Sequence, residues 1–193
     1  LICKEEGVLS GSSYFTRIFQ LVDSSLQVQW FARDGEPLTL KQEVAHIEGH
    51  ARSILAAERT ALNLLQHLSG IATQTREISR VLEGSSVILL DTRKTMPLWR
   101  KAQKEAVKHG GGENHRMGLY DRFLIKENHI AAAGSLTQAV KACKDYHPGL
   151  EVEVETTCLA EVEEALNTEA DIIMLDNFPN SEILKAAHLI REQ

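Results

Sequence analysis

Glu151-Val152-Glu153-Val154-Glu155 alternates carboxylate and valine strictly. A helical pattern from Leu159 to Leu166 follows, and then a second apolar run, Ile172-Ile173-Met174-Leu175, closed by Asp176. Period-two alternation marks a β-strand. A strand, a helix and a strand in succession form a βα unit, whose strands pair in parallel. The same order repeats upstream. Phe123-Leu124-Ile125 precedes a helix from Ser135, an N-cap residue type, to Tyr146. Val87-Ile88-Leu89-Leu90 precedes a helix from about Leu98 to His109, and downstream Ser181 to Glu192 is helical. Four βα units in series predict an α/β protein with a parallel sheet, open or closed.

Further upstream the pattern changes. Ser12 to Val22 has helical spacing (Tyr14, Phe15, Ile18, Phe19, Val22), Leu26 to Trp30 alternates, Asp34-Gly35 signals a turn, and Glu43 to His50 reads as another strand. Residues 1–51 therefore read as part of a small α+β domain. Apolar residues recur at helical intervals over 52–84, with Ser69-Gly70 expected to divide them into two helices and Gly84 to end the second. Residues 85–193 carry the βα units.

The 193 residues are 43% hydrophobic and 25% charged, the composition of a globular protein. No apolar run reaches the ~18 residues of a membrane span. Three cysteines without CxxC spacing suit a reducing cytoplasm. The net charge of −6 opposes general nucleic-acid binding. Yet Asp91 to His129 holds nine Lys/Arg against five acids, so this segment is +4 and the remainder −10. Such a concentration predicts an anion site. The chain opens Leu1-Ile2 and closes inside a helical pattern, which reads as a fragment.

Each predicted strand runs into charge: Asp91-Thr92-Arg93-Lys94, Lys126, Glu155 and Asp176. In parallel βα folds the carboxyl ends of the strands share one face, where active sites lie. Gly110-Gly111-Gly112 has two readings, backbone N–H groups facing an anion or a helix C-cap. His115-Arg116 beside it supplies donors for a carboxylate or phosphate. Glu153 and Glu155 face the same side. Either they join Asp176 around a metal or a ribose diol, or Glu153 belongs to an ion-pair layer with Lys126 and Arg93. Lys101, Lys104 and Lys108 share a helix face, either solvated or phosphate-binding. The eight histidines show no zinc-ligand spacing.

The blocks Glu58-Arg59-Thr60-Ala61-Leu62-Asn63, Leu68-Ser69-Gly70-Ile71-Ala72-Thr73, Asp91-Thr92-Arg93-Lys94-Thr95, Gly110-Gly111-Gly112-x-Asn114-His115-Arg116, Leu124-Ile125-Lys126-x-Asn128-His129, Glu153-Val154-Glu155 and Leu175-Asp176-Asn177-Phe178 occur in order. Together they resemble the quinolinate phosphoribosyltransferase (nicotinate-nucleotide pyrophosphorylase) family along essentially the whole chain. The resemblance implies an N-terminal α/β sandwich part over 1–51, connecting helices over 52–84 and an incomplete α/β barrel over 85–193. It implies condensation of quinolinate with phosphoribosyl pyrophosphate and decarboxylation to nicotinate mononucleotide, pyrophosphate and CO2, a step of NAD biosynthesis. Alternatives are a non-catalytic truncated chain, or a paralogue acting on another ligand, such as one associated with molybdenum transport.

By the same resemblance, Arg59, Arg93, Lys94, His115, Arg116, Lys126, Glu155 and Asp176 bind substrates, with Lys126, Glu155 and Asp176 catalytic. Glu155 and Asp176 would serve Mg²⁺, directly or through water. A homodimer with shared sites is implied, Arg59 reaching the partner's. The chain departs from the family at Pro97-Leu98-Trp99-Arg100, where Gly usually follows the proline, and at Thr156-Thr157-Cys158. It also lacks the family's opening helix and its final phosphate-holding βα units.

Overall fold

The computed structural model describes residues 1–192. They fall into two units that divide after Met117. The first contains β1 (Gly7–Val8), α1 (Ser12–Val22), β2 (Gln27–Trp30), β3 (Pro37–Leu38), β4 (Ala45–Glu48), α2 (Ala51–Val81) and α3 (Arg100–His109). β1 pairs with β3 and β2 with β4, both antiparallel. Phe15 and Phe19 are one turn apart on α1, so both enter the core, where Phe15 meets Trp30 edge-on at 5.4 Å.

Ser69-Gly70 does not divide the helical region: α2 is one helix of 31 residues. Its buried side, Ala57, Ala61, Leu65, Leu68, Ala72 and Thr75, continues through the expected break. Gly70 lies where an added Cβ would meet nothing within 4 Å. Ser69 turns its hydroxyl to the chain before α1: it accepts from Ser10 N–H at 3.0 Å and donates to Ser10 O at 3.2 Å. A mid-helix glycine costs about 1 kcal/mol, which this continuous packing outweighs.

The expected strand Val87–Leu90 does not form. It has one bridge, parallel, from Leu90 to Glu113. Val87, Ile88 and Leu90 are exposed. A strand exists by pairing, and this run lacks a ladder within its unit.

The second unit holds β5 (Phe123–Ile125), α4 (Glu127–Ala133), α5 (Leu136–Tyr146), β6 (Val152–Thr156), α6 (Leu159–Leu166), β7 (Ile172–Leu175) and α7 (Asn180–Arg191). The sheet order is β5-β6-β7, all parallel. This is the α/β arrangement anticipated from strand–helix alternation. Ser135 caps α5 by accepting from Gln138 N–H at 3.1 Å. The short helix α4 was not foreseen.

Register assigns the two faces of the sheet. Leu124 opposes Glu153, and Glu155 opposes Met174. Side chains alternate along a strand, so Lys126, Glu153, Glu155 and Asp176 belong to one face. Ile125, Val152 and Val154 belong to the other, where they form a core with Leu136, Ala139, Val140 and Ala165 of α5 and α6. The helices thus cover the apolar face and leave the charged one to chemistry.

Candidate active site

In the first unit, two backbone segments run side by side. Asp91 N–H donates to Glu113 O at 3.1 Å, and Glu113 N–H donates to Leu89 O at 2.8 Å. Asp91 then fastens them. Its Oδ1 accepts from His115 N–H at 2.9 Å and forms an ion pair with Lys104 Nζ. Lys104 Nζ also donates to His115 O at 2.9 Å. With its amide turned so that the nitrogen donates, Asn114 bonds Asp91 Oδ2 and Lys104 O, each at 2.9 Å. This brings the Arg93-Lys94 segment beside His115-Arg116. Arg93 Nε is buried without a hydrogen-bond partner. Arg100 holds the intervening loop, donating to Thr95 Oγ1 at 3.1 Å and to Met117 O at 3.1 Å.

Lys104 is therefore neither a solvated lysine nor a phosphate ligand. It is 1% exposed and its charge is matched by Asp91. Lys101 and Lys108 of the same helix are both exposed, and neither bonds to Asp91 or His115. Lys104 lies between Ala102 and Ala106 on the buried side of α3, a burial visible only once the helix is packed.

The glycine triplet resolves to the helix C-cap. Gly111 N–H donates to Lys108 O and Gly112 N–H to Val107 O, both at 3.0 Å, while Gly111 has φ +93°. These are the two bonds of a Schellman motif. Gly110 N–H is also taken, by Ala106 O at 3.0 Å. No N–H of the triplet is left to cradle an anion. The need for glycine is steric: a Cβ at Gly110 would lie 2.4 Å from Ala72 O. Arg76 of α2 completes the joint, donating through Nε to Gly110 O at 3.0 Å.

Leu98 stands where the family pattern has glycine, and it adopts φ +66° with its side chain wholly in solvent. The loop keeps the left-handed turn without the residue that best tolerates it. Trp99 next to it meets His67 of α2 edge-on at 5.3 Å.

In the second unit, the carboxyl ends of the strands carry the other predicted residues. Lys126 Nζ pairs with Glu155 Oε2. Asp176 N–H donates to Thr156 O at 2.9 Å, extending the ladder, and its Oδ2 accepts from Asn177 Nδ2 at 2.9 Å. Glu153, 3% exposed, takes the ion-pair reading, with Arg122 at 3.4 Å rather than Lys126 or Arg93. His129 also emerges: its Nδ1 accepts from Lys126 N–H at 2.9 Å across the first turn of α4. Thr157 of the unusual Thr-Thr-Cys stretch donates through N–H and Oγ1 to Glu161, tying the entrance of α6.

Arg59, Arg93, Lys94, His115 and Arg116 thus belong to the first unit, and Lys126, Glu155 and Asp176 to the second. Arg59 is exposed on α2, apart from the Asp91 cluster in the hydrogen-bond pattern. Glu155 and Asp176 are hard oxygen donors on one face, the type that suits magnesium. Among the described residues, no three His, Cys, Asp or Glu side chains converge to hold a metal alone. No described helix is long and apolar enough to cross a membrane.

Comparisons with known proteins identify the family. The family model described as "Quinolinate phosphoribosyl transferase, C-terminal domain" matches residues 71–193, and the corresponding N-terminal domain matches 1–69. The chain belongs to this quinolinate phosphoribosyl transferase family. A Synechocystis sp. protein named "probable nicotinate-nucleotide pyrophosphorylase (carboxylating)" is 44% identical over 99% of the chain, and one of the same name from Bacillus subtilis is 41% identical over 98%. The chain spans 65% and 66% of those relatives' lengths. Among solved structures, the nicotinate-nucleotide pyrophosphorylase from Francisella tularensis is 42% identical with a TM-score of 0.96, covering 100% of this chain and 69% of that one. NadC from Streptococcus pyogenes is 44% identical with a TM-score of 0.93, covering 98% and 68%.

Proposed function

We propose that the chain serves the transfer of a phosphoribosyl group to quinolinate with loss of CO2, giving nicotinate mononucleotide and pyrophosphate. The observation that carries this reading is the fastening of the Arg93-Lys94 and His115-Arg116 segments to each other through Asp91. Four basic side chains on adjacent, fixed backbone suit a substrate with two carboxylates, because guanidinium forks pair with carboxylates in two directions. Family membership and the relatives' names point the same way.

On this reading Arg93, Lys94, His115, Arg116 and Lys126 hold the dicarboxylate. Its ring nitrogen forms a bond to C1 of the ribose as the bond from C1 to pyrophosphate breaks. Glu155 offers its negative charge to the electron-poor ribosyl carbon. Asp176 supports the same centre. The C2 carboxylate then leaves as CO2. The electron pair left on C2 is stabilised by the cationic ring nitrogen and the fixed basic side chains, and it takes up a proton. Magnesium held by Glu155 and Asp176, directly or through water, would neutralise charge on the departing pyrophosphate. Three free cysteines suit a reducing compartment such as the cytoplasm.

Titration calorimetry with quinolinate and with nicotinate tests the proposal. Quinolinate should bind more tightly, since nicotinate lacks one carboxylate, and Arg93→Ala should narrow the difference. Equal affinity for both would overturn it. We also propose a homodimer in which Arg59 serves the partner's site. Mixing Arg59→Ala and Lys126→Ala chains should recover activity in proven heterodimers, and absence of recovery there would refute the sharing.

A further inference from the structure

We propose that Asp91, Lys104 and Asn114 form a positioning strut that sets where the His115 and Arg116 side chains point. The inference rests on the substrate-binding role proposed for those two residues. The strut itself touches no substrate. Its pattern of contacts separates it from an ordinary ion pair. Lys104 and Asp91 grip both polar groups of one peptide unit's residue: Asp91 Oδ1 accepts the His115 N–H, and Lys104 Nζ donates to the His115 carbonyl. With both groups engaged, rotation about either backbone torsion of His115 breaks a charge-assisted hydrogen bond.

Asn114, one residue earlier, ties the carboxylate to the lysine's own backbone carbonyl. The grip is thereby anchored on α3, one turn before the end that Arg76 and the glycine triplet hold against α2. Positioning is needed there for a physical reason. His115 and Arg116 follow a cap at Gly110–Gly112 and precede a loop at 117–122, so no helix or strand fixes their torsions. Burying two full charges in this place is costly. Apolar residues could fill the same volume, but they could not hold an N–H and a C=O at once. The sequence carries the strut as the Asp of Asp-Thr-Arg-Lys-Thr and the Asn of Gly-Gly-Gly-x-Asn-His-Arg, residues the proposed chemistry leaves unused.

The test is the double variant Asp91→Leu/Lys104→Met. It removes both charges together and leaves no isolated one. It is compared with the parent in thermal midpoint, amide hydrogen exchange at His115, and quinolinate affinity. The expected result is a folded protein with a midpoint near the parent's, faster exchange at His115 and an affinity loss of about tenfold, the effect of one misplaced charged donor. A folded variant with parental affinity would overturn the proposal, because the pair would then be structural alone. If the parent itself does not bind quinolinate, the functional reading fails, and the strut is judged by exchange alone: unchanged protection at His115 refutes it. If the double variant does not fold, Asn114→Ala replaces it. That residue is exposed, so the ion pair survives, and a smaller rise in exchange with a smaller affinity loss is expected. No change in either would again refute the strut.

Discussion

Lys104 and Lys126 each pair with a carboxylate, yet the two pairs are built for different ends. Lys104 and Asp91 are 1% and 8% exposed, and among the described residues the pair's other hydrogen bonds go to backbone or to the Asn114 amide. Lys126 and Glu155 are 44% and 15% exposed, at the carboxyl ends of β5 and β6. A lysine sealed with its counter-ion is committed to holding the chain. One that keeps half of its side chain in solvent can exchange its partner for a ligand. The lesson is that residue type and motif membership do not assign a role to a basic residue, whereas access and the identity of its other partners do.

The largest effect that could break this contrast is on stability. Lys104→Met alone leaves Asp91 as a buried carboxylate with only neutral donors, and should cost about 3 kcal/mol, the low end for removing one partner of a buried pair. Denaturant unfolding measures it, and a cost near zero would make the two lysines equivalent. Lys126→Ala should invert the result. Its stability should fall by less than about 1 kcal/mol, as for solvent-exposed pairs. Its quinolinate affinity should fall by about 1–3 kcal/mol, roughly five- to 150-fold, read by calorimetry.

The loop between Asp91 and Lys104 provides a sharper test of where strain lies. Leu98→Gly relieves a left-handed backbone and sacrifices no packing, since the side chain is in solvent. After the entropic cost of glycine, the gain should be about 0.5–1 kcal/mol, visible as a raised thermal midpoint.

Smallest is a third pair, Lys144–Asp171, at 17% and 38% exposure. The Lys144 ammonium and the Val152 N–H hold the Asp171 carboxyl below its ordinary value. A lowered carboxyl stabilises the fold above its unfolded pKa, and that stability is lost as pH falls through the folded value. Asp171→Asn should therefore cost less than about 1 kcal/mol at neutral pH, with the difference from the parent vanishing at acid pH in pH-dependent unfolding.

Much of the sheet was legible because strand and helix periods are local. The alternation at Glu151–Glu155 located β6, and Leu159–Leu166 is α6 to the residue. Two failures came from non-local facts. Val87–Leu90 has the apolar run of a strand, but a ladder depends on neighbours the run cannot specify. Ser69-Gly70 has the composition of a break, but Ser69 bonds to Ser10, far away in sequence. At the candidate site, the basic segment and the strand-end residues could be read directly. The buried hub could not, because Asp91 and Lys104 look like surface charges until α3 is packed. His129 stands in a quoted motif, but its bond to Lys126 N–H was hidden because α4 itself was not foreseen.

The close approach of α3 to α2 at Gly110 has a consequence for lineages rather than for molecules. Ala72 O stands where any larger residue would need its first carbon. Selection on packing alone is then sufficient to keep that glycine, whatever becomes of the basic residues around it. A descendant gene that had lost Arg93, Arg116 and Lys126, and with them the proposed chemistry, would still carry the triplet as long as its product folded. Surveying genomes with the glycine signature would count survivors of the architecture. On the proposed function, counting working copies requires Arg93, Arg116 and Lys126 as well.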